Sequence, residues 1–186
     1  MSVFLFSGHM IDQPDRSVPR FPPEFAAVAQ RAIRTELETL HATKGDVGLC
    51  GGACGGDLLF AEACLDRGLR VELRLHSDRE TFLEESVAFA GDEWVRRFDR
   101  VSGHRDCTVM TLGGQPVPAT EGDKFERTNL WQLGAATEMA GAGLLHLIAL
   151  WDGAPGDGPG GTAHMVSEVE RRGGLVHIIP LRRERL

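Results

Sequence analysis

Cys50-Gly51-Gly52-Ala53-Cys54-Gly55-Gly56-Asp57 places four glycines within six positions. That density exceeds what a tight turn needs. Glycine adopts positive φ without strain and lets a ligand approach the main chain closely. The run follows an apolar segment and opens a helical pattern, so a helix N-terminus directs free N–H groups and its positive dipole end at the turn. A phosphate suits such a cradle. The competing reading is a crowded strand–helix junction whose glycines serve packing alone. Asp57 falls in the first helical turn, where a carboxylate either contacts a ligand or complements the helix dipole.

A second run, Trp151-Asp152-Gly153 and then Asp157-Gly158-Pro159-Gly160-Gly161-Thr162-Ala163-His164, has the same setting. Thr162 is a favourable N-cap type. Gly160 and Gly161 expose backbone N–H groups, and Asp152 at a strand end can accept hydrogen bonds from ribose hydroxyls or a base. Ser7, Gly8 and His9 form the turn after the first apolar run, with Asp12, Arg16 and Arg20 beyond. The two arginines could clamp a second phosphate or lie solvated. His146 lies mid-strand and reads as a core histidine, whereas His164, just past the cap, is better placed to act. Cys50 and Cys54 have metal-like spacing but no second pair completes a tetrahedral site, so no metal is expected. Cys54 beside a helix N-terminus is a candidate for a lowered pKa.

The elements that position these turns follow from hydrophobic period. Val3–Phe6, Asp46–Cys50, Val71–Leu75, Leu144–Trp151 and Leu175–Ile179 read as short strands. Between them, three- and four-residue spacing marks helices near 25–40, 58–65, 82–101, 125–141 and 162–172. Trp94 and Phe98 belong to the core stripe of the 82–101 helix. Residues 103–123 hold a short strand candidate, DCTVMTL, and then loop chemistry. Alternation of strands and helices predicts a Rossmann-like α/β three-layer sandwich, with a mostly parallel sheet and helices on both faces. Right-handed crossovers bring the turns after strands one, two and five to one sheet edge. No repeat or linker divides the chain, so residues 1–186 read as a single domain.

Bulk composition limits the partners. With 186 residues and net charge −7, acids and bases interspersed, a basic nucleic-acid face is not expected. No apolar run reaches the ~18 residues of a membrane helix, and MSVFLFSGHM lacks the basic start of a signal peptide. Four cysteines in a chain of this length do not suggest a disulfide framework, so the expected compartment is the cytoplasm.

CGGACGGDLLFAEA resembles the SGGAxGxDxxA signature of the SLOG superfamily, which includes the Lonely Guy phosphoribohydrolases, the Smf/DprA proteins and the amino-terminal regions of TRPM channels. LIALWDG…GPGGTAHMV is similar to the later strand–turn–helix of that group, SGHMID to its first strand turn, and Asn129 falls where members carry a polar residue. The resemblance spans Phe4 to about Ile179. It implies a Rossmann-like fold and a pocket for nucleotides or their derivatives, formed here by Ser7, Gly8, His9, Gly51, Gly52, Ala53, Gly55, Asp57, Asn129, Asp152, Gly160, Gly161 and Thr162.

The enzymatic branch carries PGGxGTxxE, with glutamate three residues past the threonine. This chain has Met165 there, and Glu168 lies about two turns into the helix. The expected function is therefore binding, as a sensor, of a phosphate-bearing nucleotide-derived small molecule, with no cofactor. Its partner would be a second copy of the chain or an effector. The alternative is an N-glycosidic hydrolase or transferase acting on a nucleotide, which needs a carboxylate near the anomeric carbon. Asp12, Asp57 and Asp152 are its candidates.

Overall fold

The computed structural model describes residues 1–112, 124–154 and 161–181. Six strands, β1 (Ser2–Gly8), β2 (Val47–Cys50), β3 (Arg70–Leu75), β4 (Cys107–Thr111), β5 (Leu144–Trp151) and β6 (Leu175–Pro180), form one sheet in the order β4-β3-β2-β1-β5-β6. Every pairing is parallel. The six described α-helices are α1 (Ala26–Thr39), α2 (Gly56–Asp66), α3 (Arg79–Ser86), α4 (Asp92–Ser102), α5 (Lys124–Ala140) and α6 (Thr162–Arg171).

Strand order and handedness fix the layers. From β1 to β4 the chain steps in one direction, so right-handed crossovers place α1 to α4 on one face. The chain then returns across the sheet to β5 and steps the other way, which places α5 and α6 on the opposite face. The alternation of side chains along β1 follows this split. Phe4 and Phe6 join a core with Ile33, Leu37, Phe60 and Phe98. Val3 and Leu5 join the other core, with Leu133, Ala136, Met165 and Val169. All four β1 side chains are at most 1% exposed, and burial of each contributes about 1.5–3 kcal/mol. The two-sided burial explains why β1, β2 and β5 read as continuous apolar runs rather than alternating ones.

The helix expected over 82–101 is two helices. A turn of 3-10 helix over Ala88–Ala90 and Gly91 at φ +102° separate α3 from α4. Asp78 caps α3, its carboxylate accepting the Thr81 amide at 3.1 Å. The buried stripe survives the break, with Val87, Trp94, Phe98 and Val101 all in the core. Hydrophobic period reported the shared face but not the backbone turn within it. The strand candidate near 107 is β4, an edge strand of five residues.

Candidate functional site

Strand order reverses between β1 and β5, and the C-terminal ends of the strands open there into a cavity of about 440 Å³. This volume lies within the range of small-molecule pockets. Ser7, Gly8, His9, Gly51, Ala53, Asp57, Asn129, Gly161 and Thr162 line it. Residues from the ends of β1 and β2 and from the helices α2, α5 and α6 thus line one cavity.

The loop after β1 is zipped to the glycine turn. Ile11 N–H donates to the Cys54 carbonyl at 3.3 Å, and Gly56 N–H donates to the His9 carbonyl at 3.1 Å. Gly55 makes this approach possible. Its φ is +96°, and a Cβ there would stand 2.7 Å from Ile11 N and 2.9 Å from the His9 oxygen. Gly55 therefore faces backbone, not the cavity. Gly52, at φ +84°, faces Leu73 and Leu75. Neither glycine lines the cavity, and the side that a Cβ would occupy is filled from within the protein. At the floor, the Phe6 ring stacks on Phe60 at 4.9 Å and occupies the space beside Gly8 and Gly56.

Asp57 points back at the turn that precedes its helix. Its Oδ2 accepts the Ala53 amide at 3.2 Å. Burial pushes its pKa up to about 7, against the opposing pull of the amides of Ala53, Gly52 and Gly51. The chain's own carboxylate thus takes an anion's place at this turn. Cys54 follows the same logic of burial. Its thiol is pushed up to about 12, not lowered, since desolvation outweighs the nearby helix N-terminus. Cys50 and Cys64 are also buried and raised by desolvation. Among the described residues no cluster of histidine, cysteine and carboxylate could hold a metal ion.

Gly161, not Thr162, is the N-cap of α6. Thr162 is the first helical residue, and its Oγ1 accepts a hydrogen bond from Ser7 Oγ at 3.3 Å. This contact ties the end of β1 to the start of α6. Gly160 lies outside the described residues.

Asp152 is not on the cavity wall but organises residues that are. Its Oδ1 accepts the Ala154 amide at 2.9 Å and lies 3.4 Å from His9 Nε2. Its Oδ2 lies 3.5 Å from Arg20 Nε. Beyond its approach to Asp152, His9 Nε2 has no hydrogen-bond partner among the described residues. Burial lowers the His9 pKa, Asp152 raises it in part, and the net direction is down. Asp12 serves the loop itself: its carboxylate accepts the Arg20 and Phe21 amides at 2.9 and 3.0 Å. That closure delivers Arg20, which lines the cavity.

Sequence reasoning missed the far wall. Arg74, His76, Phe82, Ser86, Phe125, Thr128 and Gln132 complete the cavity from β3, α3 and α5. Arg74 stacks over Trp131 at 4.4 Å and pairs with Glu72 at 2.5 Å. Gln132 donates to the Arg74 carbonyl at 3.2 Å. One signal was available for His76, a histidine directly after a strand on the ligand edge. The remaining contacts depend on where α5 lies, which no local pattern specifies.

Of the other candidates, His146 is a core histidine. It stacks on Phe4 and its Nδ1 lies 3.0 Å from His177 Nε2. His164 does not line the cavity, and its buried Nδ1 lacks a hydrogen bond among the described residues. Met165 is 2% exposed and belongs to the core. Glu168 pairs with Arg171 and Arg172 on the surface of α6.

No protein-family model matches the chain, and no curated protein matches it. Among solved structures it is similar to the crystal structure of TM1055, a structural-genomics target. That similarity covers 95% of this chain and 72% of the other, at 15% identity and a TM-score of 0.48. Similarity at this level carries no argument about the site.

Proposed function

We propose that this cavity binds a phosphate-bearing, nucleotide-derived small molecule, the reading that the SLOG-like motifs also imply. The observation that carries it is the convergence of three strand-end turns on one cavity at the reversal of strand order, where open α/β sheets bind ligands. The anionic group belongs at the start of α6, where Ser7 Oγ meets Thr162 Oγ1 beside the Gly161 cap, with Arg20 lining the same cavity. A helix N-terminus with hydroxyls and a guanidinium favours negative charge there. The turn after β2 contributes shape, since Asp57 occupies its amides.

Binding is preferred to turnover because the position of the phosphoribohydrolase glutamate is Met165, buried beneath the sheet edge. One observation favours a second reading, N-glycosidic hydrolysis or transfer. Asp57 lies on the cavity wall with a pKa of about 7, so it holds both protonation states near neutral pH. Among the described residues, no helix is long and apolar enough to cross a membrane.

The test is a thermal-shift screen against nucleoside monophosphates, cyclic nucleotides and ADP-ribose derivatives, with chromatography of each mixture. A compound at 100 times its dissociation constant adds about 2.7 kcal/mol of stability. Stabilisation with intact recovery supports binding. Release of free base supports the hydrolase and makes Asp57→Asn the next variant. No stabilisation by any compound rejects both.

A further inference from the structure

The cavity has a second end with different chemistry. His76 follows β3 and is 9% exposed. Its Nε2 lies 2.9 Å from Ser86 Oγ, with Glu85 Oε2 at 3.7 Å. In the tautomer with the proton on Nε2, toward Glu85, Nε2–H donates to Ser86 Oγ and Nδ1 carries the lone pair. Burial and Lys124 lower the His76 pKa, which keeps the ring neutral. His76 Nδ1 is buried and has no hydrogen-bond partner among the described residues. A buried polar group left unsatisfied is costly, and one that persists calls for a functional role or a partner that comes from outside the fold.

Aromatic rings frame this nitrogen. Phe82 lies 5.0 Å from the imidazole and Phe125 5.4 Å, edge-on. Phe125 is 42% exposed, an apolar ring held at the cavity instead of in the core. The anionic end lies over β1 and β5, and this end lies over β3. One strand intervenes between β1 and β3, which sets the two ends roughly 10 Å or more apart. The ribose and the base of a nucleotide together span that gap.

Resting on the reading above, we propose that the His76–Phe82–Phe125 end takes the flat nitrogen heterocycle of the ligand, His76 Nδ1 accepting a hydrogen bond from its amino or ring N–H edge. His76 is then a specificity-determining residue. It ranks nucleobases by the donors on their edges, while the α6 end holds the phosphate whatever the base.

The test measures dissociation constants for the four common nucleoside 5′-monophosphates and for ribose 5-phosphate, by calorimetry. The probes are applied to the native protein, His76→Phe and Phe125→Ala. One preferred nucleotide outbinds ribose 5-phosphate by about 100-fold or more. His76→Phe, which keeps a ring and removes Nδ1, loses about tenfold of that preference, as expected for one neutral hydrogen bond. It binds ribose 5-phosphate as the native protein does. Phe125→Ala, a substitution at a half-exposed position, lowers nucleotide affinity several-fold and spares ribose 5-phosphate, so the inference stays testable if His76→Phe fails to fold. Equal affinity for ribose 5-phosphate and every nucleotide overturns this inference and leaves the phosphate site standing. So does a nucleotide preference that survives both substitutions. Absence of binding by every probe overturns the proposed function as well.

Discussion

The Asp57 carboxylate accepts the amide of Ala53 at 3.2 Å, so the glycine turn after β2 is closed by the first turn of the helix it opens. The turn is self-contained. Its glycines serve a carboxylate inside the protein and a close crossing of backbone, and the cavity meets it through Gly51, Ala53 and Asp57. The proposed anion site is therefore the start of α6.

Asp57 makes stability depend on pH in a defined direction. Its folded pKa is about 7, above its ordinary value of 3.8. The folded state therefore holds the proton longer than the unfolded state does, and this group's contribution is fully present below about pH 4. It is lost as pH rises through about 7. Urea unfolding of native protein and Asp57→Asn from pH 4 to 8 checks this. The native protein loses on the order of a few kcal/mol relative to the variant across that window. Parallel pH profiles would refute the assignment.

Gly55 and Gly91 separate strain from crowding. Both have positive φ, +96° and +102°. A Cβ at Gly91 meets nothing within 4 Å, whereas one at Gly55 meets Ile11 N at 2.7 Å. Gly91→Ala costs the backbone strain alone, about 1–3 kcal/mol. Gly55→Ala costs more, because the loop after β1 must move. Melting temperatures show the ordering, at about 2–4 °C per kcal/mol for a domain of this size. Equal losses would mean that the crossing is not tight.

Asp12 holds the loop that carries Arg20. Its carboxylate accepts two backbone amides at 2.9 and 3.0 Å. Asp12→Ala removes both and destabilises the protein by about 1.5–3 kcal/mol. Limited proteolysis of the variant finds faster cleavage within 13–20 than in native protein. Unchanged cleavage there would show that the Pro-rich segment holds itself.

His9 titrates under the influence of Asp152, 3.4 Å from its Nε2. Burial lowers the His9 pKa and the carboxylate opposes it. Asp152→Asn therefore lowers the His9 pKa further, as read from imidazole resonances in an NMR titration. For the native protein the sign is that of a depressed histidine. Its contribution to stability is present above about pH 6.5, and is lost as pH falls below that value and the unfolded state gains the proton. A His9 pKa that rises in Asp152→Asn would remove Asp152 from its role.

The strands, the parallel sheet and the gathering of strand-end turns at one edge were legible in the sequence because they depend on local period and on the hand of crossovers. Val3–Phe6 and Leu144–Trp151 are apolar on both faces, and Gly51–Gly56 could only be a turn. Those signals act over a few residues. Tertiary structure alone decided which glycines meet the cavity. Gly55 faces Ile11 because the loop after β1 folds across it, and Gly52 faces Leu73 and Leu75 because β3 lies beside it. It also decided that Asp57 fills its own turn, since a side chain's direction depends on the backbone closed around it. The far wall, from Arg74 and His76 to Phe125 and Gln132, exists because α5 crosses back over β1, β2 and β3. That packing joins residues far apart in the chain, 58 positions for Gln132 on the Arg74 carbonyl, and no spacing within the chain encodes it.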